Sequence, residues 1–130
     1  MALSDTLSLD AEEKIYVGKS YLFIKDRILH VVTVGDSDRE TALQMKEVSI
    51  AITLKYGKMH VLADINEAGK STPEARKIWK ELSEASNFKL ALVGLHPVAR
   101  VIASFSMALS RNKTTRFFVS TEEALEWLKS

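Results

Sequence analysis

The chain has no cysteine, 2 prolines, 5 glycines and no apolar run approaching the ~18 residues of a membrane-spanning helix. Without cysteine there is no thiol nucleophile, no cysteine-bound zinc and no disulfide framework, a composition at home in a reducing cytoplasm. An excess of one charge is also missing: 18 Lys+Arg face 17 Asp+Glu, a net charge of +1. That balance argues against a nucleic-acid binder built on a broad basic face, and the tightest basic cluster, Arg111, Lys113 and Arg116, is short. Met1–Glu13 shows no cationic start followed by an apolar run, so no secretory signal is expected. What is present, 46% apolar and 27% charged residues over 130 positions, is the composition of one soluble globular domain. A chain of this length buries about two-thirds of its unfolded surface and needs no staples.

Residues 1–13 alternate Leu with small polar residues and then turn acidic, which reads as an N-terminal arm ahead of a single domain over 14–130. Tyr21–Ile24 and Ile28–Val34 are β-branched and aromatic runs separated by Lys25-Asp26-Arg27, a hairpin, and Gly35 should end its second strand. Ser37 and Glu40 form a capping box for a first helix that runs to Tyr56 and stops at Gly57. Met59–Ile65 is a strand, Asn66–Thr72 a loop, and Pro73 opens a second helix to about residue 86. Its apolar stripe is Ala75, Ile78, Trp79, Leu82 and Ala85. Leu90–Val93 is a short buried strand, and a third helix spans about 98–110. A last strand covers Thr115–Val119, and Ser120 with Glu123 caps a final helix. The order β-β-α-β-α-β-α-β-α implies an α/β fold, a mostly parallel mixed five-stranded sheet with an N-terminal hairpin and four helices.

This pattern resembles the STAS fold of anti-sigma-factor antagonists, and more closely the SpoIIAA-like (STAS-like) bacterial proteins. The residues that carry the resemblance are Ile28–Val31, Leu62–Asn66, Pro73–Arg76, Ala91–Gly94, Val98–Arg100, Phe117-Phe118 and Glu122–Leu128. The resemblance implies a cytoplasmic interaction module. It also implies a phospho-switch at the start of the helix after the third strand, where Ser71 and Thr72 fall, although Asn66–Lys70 replaces the Asp-Ser-Ser/Thr-Gly run of true antagonists. Through the likeness of such proteins to CRAL-TRIO folds, it further implies an apolar ligand between helices.

Ser71 and Thr72 have a second reading beside phosphorylation, as the plain cap of the second helix. Asp64 stands at the expected carboxyl end of a parallel strand, where open α/β sheets place binding groups, yet it can equally accept loop amides. A receiver-type phospho-aspartate lacks its partners here, because the strands end in Val34-Gly35-Asp36 and Val119-Ser120. His30 and His60 sit in strands and His96 precedes Pro97, with no metal-ligand spacing. No Gly-x-Ser-x-Gly elbow and no phosphate loop occurs. No catalytic residue, metal or cofactor is therefore assigned.

The informative feature is apolar excess on helices. On the first helix Met45, Val48, Ile52 and Tyr56 share one face, while Leu43, Ile50 and Leu54 fall on nearly the opposite one. A helix on a sheet needs one stripe; this one has two. The third helix adds a core stripe of Val98, Val101, Ile102, Phe105 and Leu109, a small-residue flank containing Ala99 and Ala103, and Met107 on its polar side. The second stripes lead to a non-enzymatic interaction module, a homodimer or protein binder using Leu43, Ile50, Leu54, Ala99, Ala103 and Met107. The alternative is a carrier of a small apolar or lipid ligand near Trp79, Ile102 and Phe105.

Overall fold

Strand-length apolar runs bury their side chains only by pairing, and here they pair into a single mixed sheet. The computed structural model describes residues 14–85, 89–95 and 115–130. Six strands stand in sequence order: β1 (Ile15–Val17), β2 (Ser20–Lys25), β3 (Ile28–Ser37), β4 (His60–Ser71), β5 (Leu90–Val93) and β6 (Thr115–Phe118). β1, β2 and β3 pair antiparallel, and β3 to β6 pair parallel. Among the described residues the helices are α1 (Arg39–Tyr56), α2 (Pro73–Ala85) and α3 (Thr121–Lys129). The helix expected over 98–110 and the arm expected over 1–13 lie outside the described residues.

The α/β class holds, with corrections in detail. Among the described residues the sheet has six strands rather than five, because Ile15–Val17 pairs with Ser20–Leu22. A three-residue strand shows no periodicity of its own; what makes it is the tight turn at Gly18, φ +62°, a conformation glycine enters without cost. The loop expected over Asn66–Thr72 is strand as far as Ser71. Those residues are poor strand formers, but β3 does not stop at Gly35 either, and its tail pairs Val34 with Glu67, Gly35 with Ala68 and Ser37 with Ser71. Register shifts at Val32/Val34 and Gly35/Ser37 accommodate the irregular sequence. The Asp36 carboxylate then accepts the Lys70 N–H at 2.8 Å, and Gly69 lies directly against Asp36. Because Ser37 is the buried end of a strand, the N-cap of α1 moves one residue on, to Asp38, whose Oδ1 accepts the Thr41 N–H at 2.8 Å. Hydrogen bonds from the Thr41 N–H and hydroxyl hold the Asp38 carboxyl below its ordinary range.

Period-two alternation sorts the strands onto two faces. On one, Leu22, Ile24, Leu29 and Val17 pack under Met45 and Ile52 of α1, with Val48, Tyr56 and Val61 at the margin. The expected inner stripe of α1 is thus the one that meets the sheet. On the other, Ile28, Leu62, Ala91 and Val93 pack under Ala124 and Leu128 of α3. Each such fully buried aliphatic side chain contributes about 1.5–3 kcal/mol. α2 lies alongside α1, burying Ala75 completely. Two other capping signals hold where they were read: Gly57 ends α1 at φ +85°, and Ser120 Oγ accepts the Glu123 N–H at 3.3 Å to start α3.

Candidate functional site

The parallel pairing of Ser37 with Ser71 brings the N-termini of α1 and α2 side by side at the carboxyl edge of the sheet. Thr72 N–H is tied to Ser37 O at 3.0 Å, and Thr72 Oγ1 accepts the Ala75 N–H at 3.1 Å. Thr72 is therefore the cap of α2. Ser71 is the last strand residue; its Oγ is enclosed with no hydrogen-bond partner among the described residues, while its carbonyl accepts from the Arg76 guanidinium. Asp64 is not at the end of its strand, since β4 continues to Ser71, but it marks where β5 ends, opposite Val93. Its Oδ1 accepts both the backbone N–H and the side-chain amide of Asn66 at 3.0 Å, and Asn66 Oδ1 takes the Leu95 N–H at 2.6 Å. That carboxylate holds the Asn66 amides within β4, and Asn66 in turn holds Leu95 just beyond β5.

His30 is held by packing and His60 by a backbone hydrogen bond, while His96 lies outside the described residues. His30 stacks on Phe23, ring centroids 4.6 Å apart, and burial together with Lys25 lowers its pKa against an opposing pull from Asp26. Tyr21 and Tyr16 extend this row across β2 and β1, with the Lys14 ammonium 4.5 Å from the Tyr21 ring. His60 Nδ1 accepts the Lys89 N–H at 2.9 Å, and burial followed by the Lys89 charge lowers its pKa. Among the described residues no three His, Asp or Glu converge on a point where a metal ion could be held.

The outer stripe of α1 divides. Leu43 is half-buried in an open cleft of about 330 Å³ between α1 and α2, beside Ile78. The rest of that cleft is charged: Arg39, Lys46, Glu74, Lys77 and Glu81. Ile50 and Leu54, one turn apart, remain in solvent at 44% and 82% exposure. Trp79 is half-buried, while Ala99, Ile102, Ala103, Phe105 and Met107 lie outside the described residues. Sequence reasoning missed Asp36 and Arg76, which join β3, β4 and α2. The advance sign of each was a charge beside a glycine or in the first turn of a helix.

A family model for a domain of unknown function, DUF7793, matches residues 22–130. The chain belongs to the DUF7793 family. The matched span runs from β2 to the end of α3 and so contains both helix starts, the α1 stripe and the parallel half of the sheet. No curated protein sequence matches this DUF7793 chain. Among solved structures it is similar to an uncharacterized protein of the DUF3478 family, with a SpoIIAA-like fold, from Shewanella loihica PV-4. The two superpose with a TM-score of 0.61 at 18% identity, over 98% of this chain and 99% of the other. The DUF7793 domain therefore has a SpoIIAA-like fold. No described helix is long and apolar enough to cross a membrane.

Proposed function

We propose that this DUF7793 domain is a non-enzymatic, STAS-like interaction module of the cytoplasm, a homodimer that binds protein through the outer face of α1, with no nucleic acid involved. One observation carries the reading: Ile50 and Leu54 form an adjacent apolar pair at 44% and 82% exposure on a helix whose opposite face already fills the core. Scaling the 1.5–3 kcal/mol of a fully buried aliphatic side chain by those exposures gives roughly 2–4 kcal/mol per copy on covering the pair. That is the scale of interface anchors, set in a polar rim of Glu47 and Lys55. The polar groups nearest to chemistry, Asp64 and Thr72, are occupied with strand and helix amides. Thr72 rather than Ser71 is the phospho-acceptor in this reading, since the Ser71 hydroxyl is enclosed. A phosphate on Thr72 would stand at the positive end of the α2 dipole. The carrier alternative places its ligand near Trp79, Ile102 and Phe105, and of these only the half-buried Trp79 lies among the described residues.

Light scattering on the wild type, Ile50→Glu and Leu54→Glu tests the reading. A dimeric wild type and monomeric variants with unchanged circular dichroism are expected. A monomeric wild type, or variants that keep the dimer mass, would refute it.

A further inference from the structure

The outer stripe of α1 carries both a projection and a recess. Leu54 protrudes from the last turn at 82% exposure. Leu43, with Ile78 of α2, forms the apolar floor of the open cleft of about 330 Å³. The two leucines are three helical turns apart, so they share one face of α1 at a separation of about 16 Å along its axis. Ile50 lies between them on that face. A projection and a recess on one surface of one chain suit an isologous contact, in which a twofold axis seats each in the other. An axis crossing α1 near Val48 and Ser49 does this. It lays Leu54 of each copy over Leu43 and Ile78 of the other, and sets Ile50 between the aliphatic stems of Lys46 and Glu47.

Charge favours the same antiparallel setting. Three cations, Arg39, Lys46 and Lys77, line the cleft against two carboxylates, Glu74 and Glu81. Leu54 belongs to the last turn of its helix, where carbonyls without a helical partner gather negative partial charge. Lys55, the basic residue of that turn, is drawn over the Tyr56 ring at 5.5 Å from its centroid. The antiparallel crossing therefore brings a carbonyl end to a cleft with an excess of cations and opposes the two helix dipoles. A parallel crossing would set Leu54 against Leu54 and leave the cleft unfilled.

We propose that the occupant of this surface is a second copy of the chain in antiparallel register, with Leu54 of each copy seated on Leu43 and Ile78 of the other. The arrangement rests on the reading of α1 as a dimer face and adds α2 to that face. The charged residues around the cleft form the rim of an apolar contact.

The chain has no cysteine, so introduced thiols report the register without background. Leu43→Cys and Leu54→Cys, mixed under reducing conditions and then oxidised, give a disulfide-linked dimer on a non-reducing gel. Neither variant alone does so, because identical thiols stand about 16 Å apart, beyond the ~7 Å between Cα atoms that a disulfide spans. Ile78→Ala, with unchanged circular dichroism, raises the dimer dissociation constant about tenfold in sedimentation. Three results would overturn the arrangement while leaving the dimer reading intact: a dimeric wild type whose mixture stays uncrosslinked, crosslinking of either variant alone, or an unchanged constant for Ile78→Ala. A monomeric wild type overturns both.

Discussion

Gly69→Ala isolates a steric effect that sequence alone does not show. Gly69 has no left-handed φ, so alanine suits its backbone and would on conformational grounds stabilise by about 0.4–1 kcal/mol through the unfolded state. The tertiary contact opposes this. A Cβ at position 69 would collide with the Asp36 carboxylate and stand 3.1 Å from both the Asp36 nitrogen and the Gly35 carbonyl carbon. Two of those neighbours are backbone in a bulged segment and cannot swing aside. Overpacking of this kind costs about 1–3 kcal/mol, and displacing Asp36 from the Lys70 N–H adds about 1 kcal/mol. The net expectation is a destabilisation of about 2 kcal/mol. With roughly 2.1 cal/mol/K of unfolding entropy per residue over 130 residues, the melting temperature falls about 7 °C. Calorimetry on Gly69→Ala, Asp36→Ala and the double variant provides the assay. The double variant should lose less than the two single losses added together, because the carboxylate that clashes is already gone. A melting temperature for Gly69→Ala at or above wild type would refute the close approach of β3 and β4.

Thr72→Ala should cost about 1 kcal/mol, seen as a drop of about 4 °C by calorimetry, with Thr72→Ser close to wild type; an unchanged alanine variant would contradict the cap. Stability should fall as pH drops below about 6.5. His30 and His60 have pKa values lowered from 6.5, so the unfolded chain binds protons that the folded one resists, and the stability they contribute, present above that value, is lost on acidification. Melting curves from pH 7 to pH 5 check this, with His60→Phe expected to reduce the slope; a melting temperature that rises towards pH 5 would rule it out. Asp38 is lowered from 3.8, so its contribution is lost only in the more acid window.

Much of the fold was legible because its signals are local. Gly57, Pro73, Ser120 and the alternating run through Ile28–Val34 each act on their own neighbours, and each stands where the sequence places it. Four departures share one cause. The β1 strand, the tail of β3, the strand Asn66–Ser71 and the shift of the α1 cap from Ser37 to Asp38 all depend on a partner segment far away in the chain. Of the candidate site, the two stripes of α1 were readable from helical spacing. That Leu43 would sit beside Ile78 while Ile50 and Leu54 face water depends on where α2 lies, which spacing on α1 does not contain.

The sequence alone determined the order of the described elements from β2 onwards, the two-sided character of α1 and the lack of any thiol or phosphate-loop motif, since propensity, periodicity and residue type are properties of the chain itself. Tertiary structure decided which polar groups are already occupied: Asp64 by Asn66, Thr72 by Ala75, Asp36 by Lys70 and His60 by Lys89. It also decided that Leu43 and Ile78, from separate helices, share the floor of one cleft. Hydrogen bonds and clefts are formed between segments, and their geometry exists only after loop closure has brought those segments together.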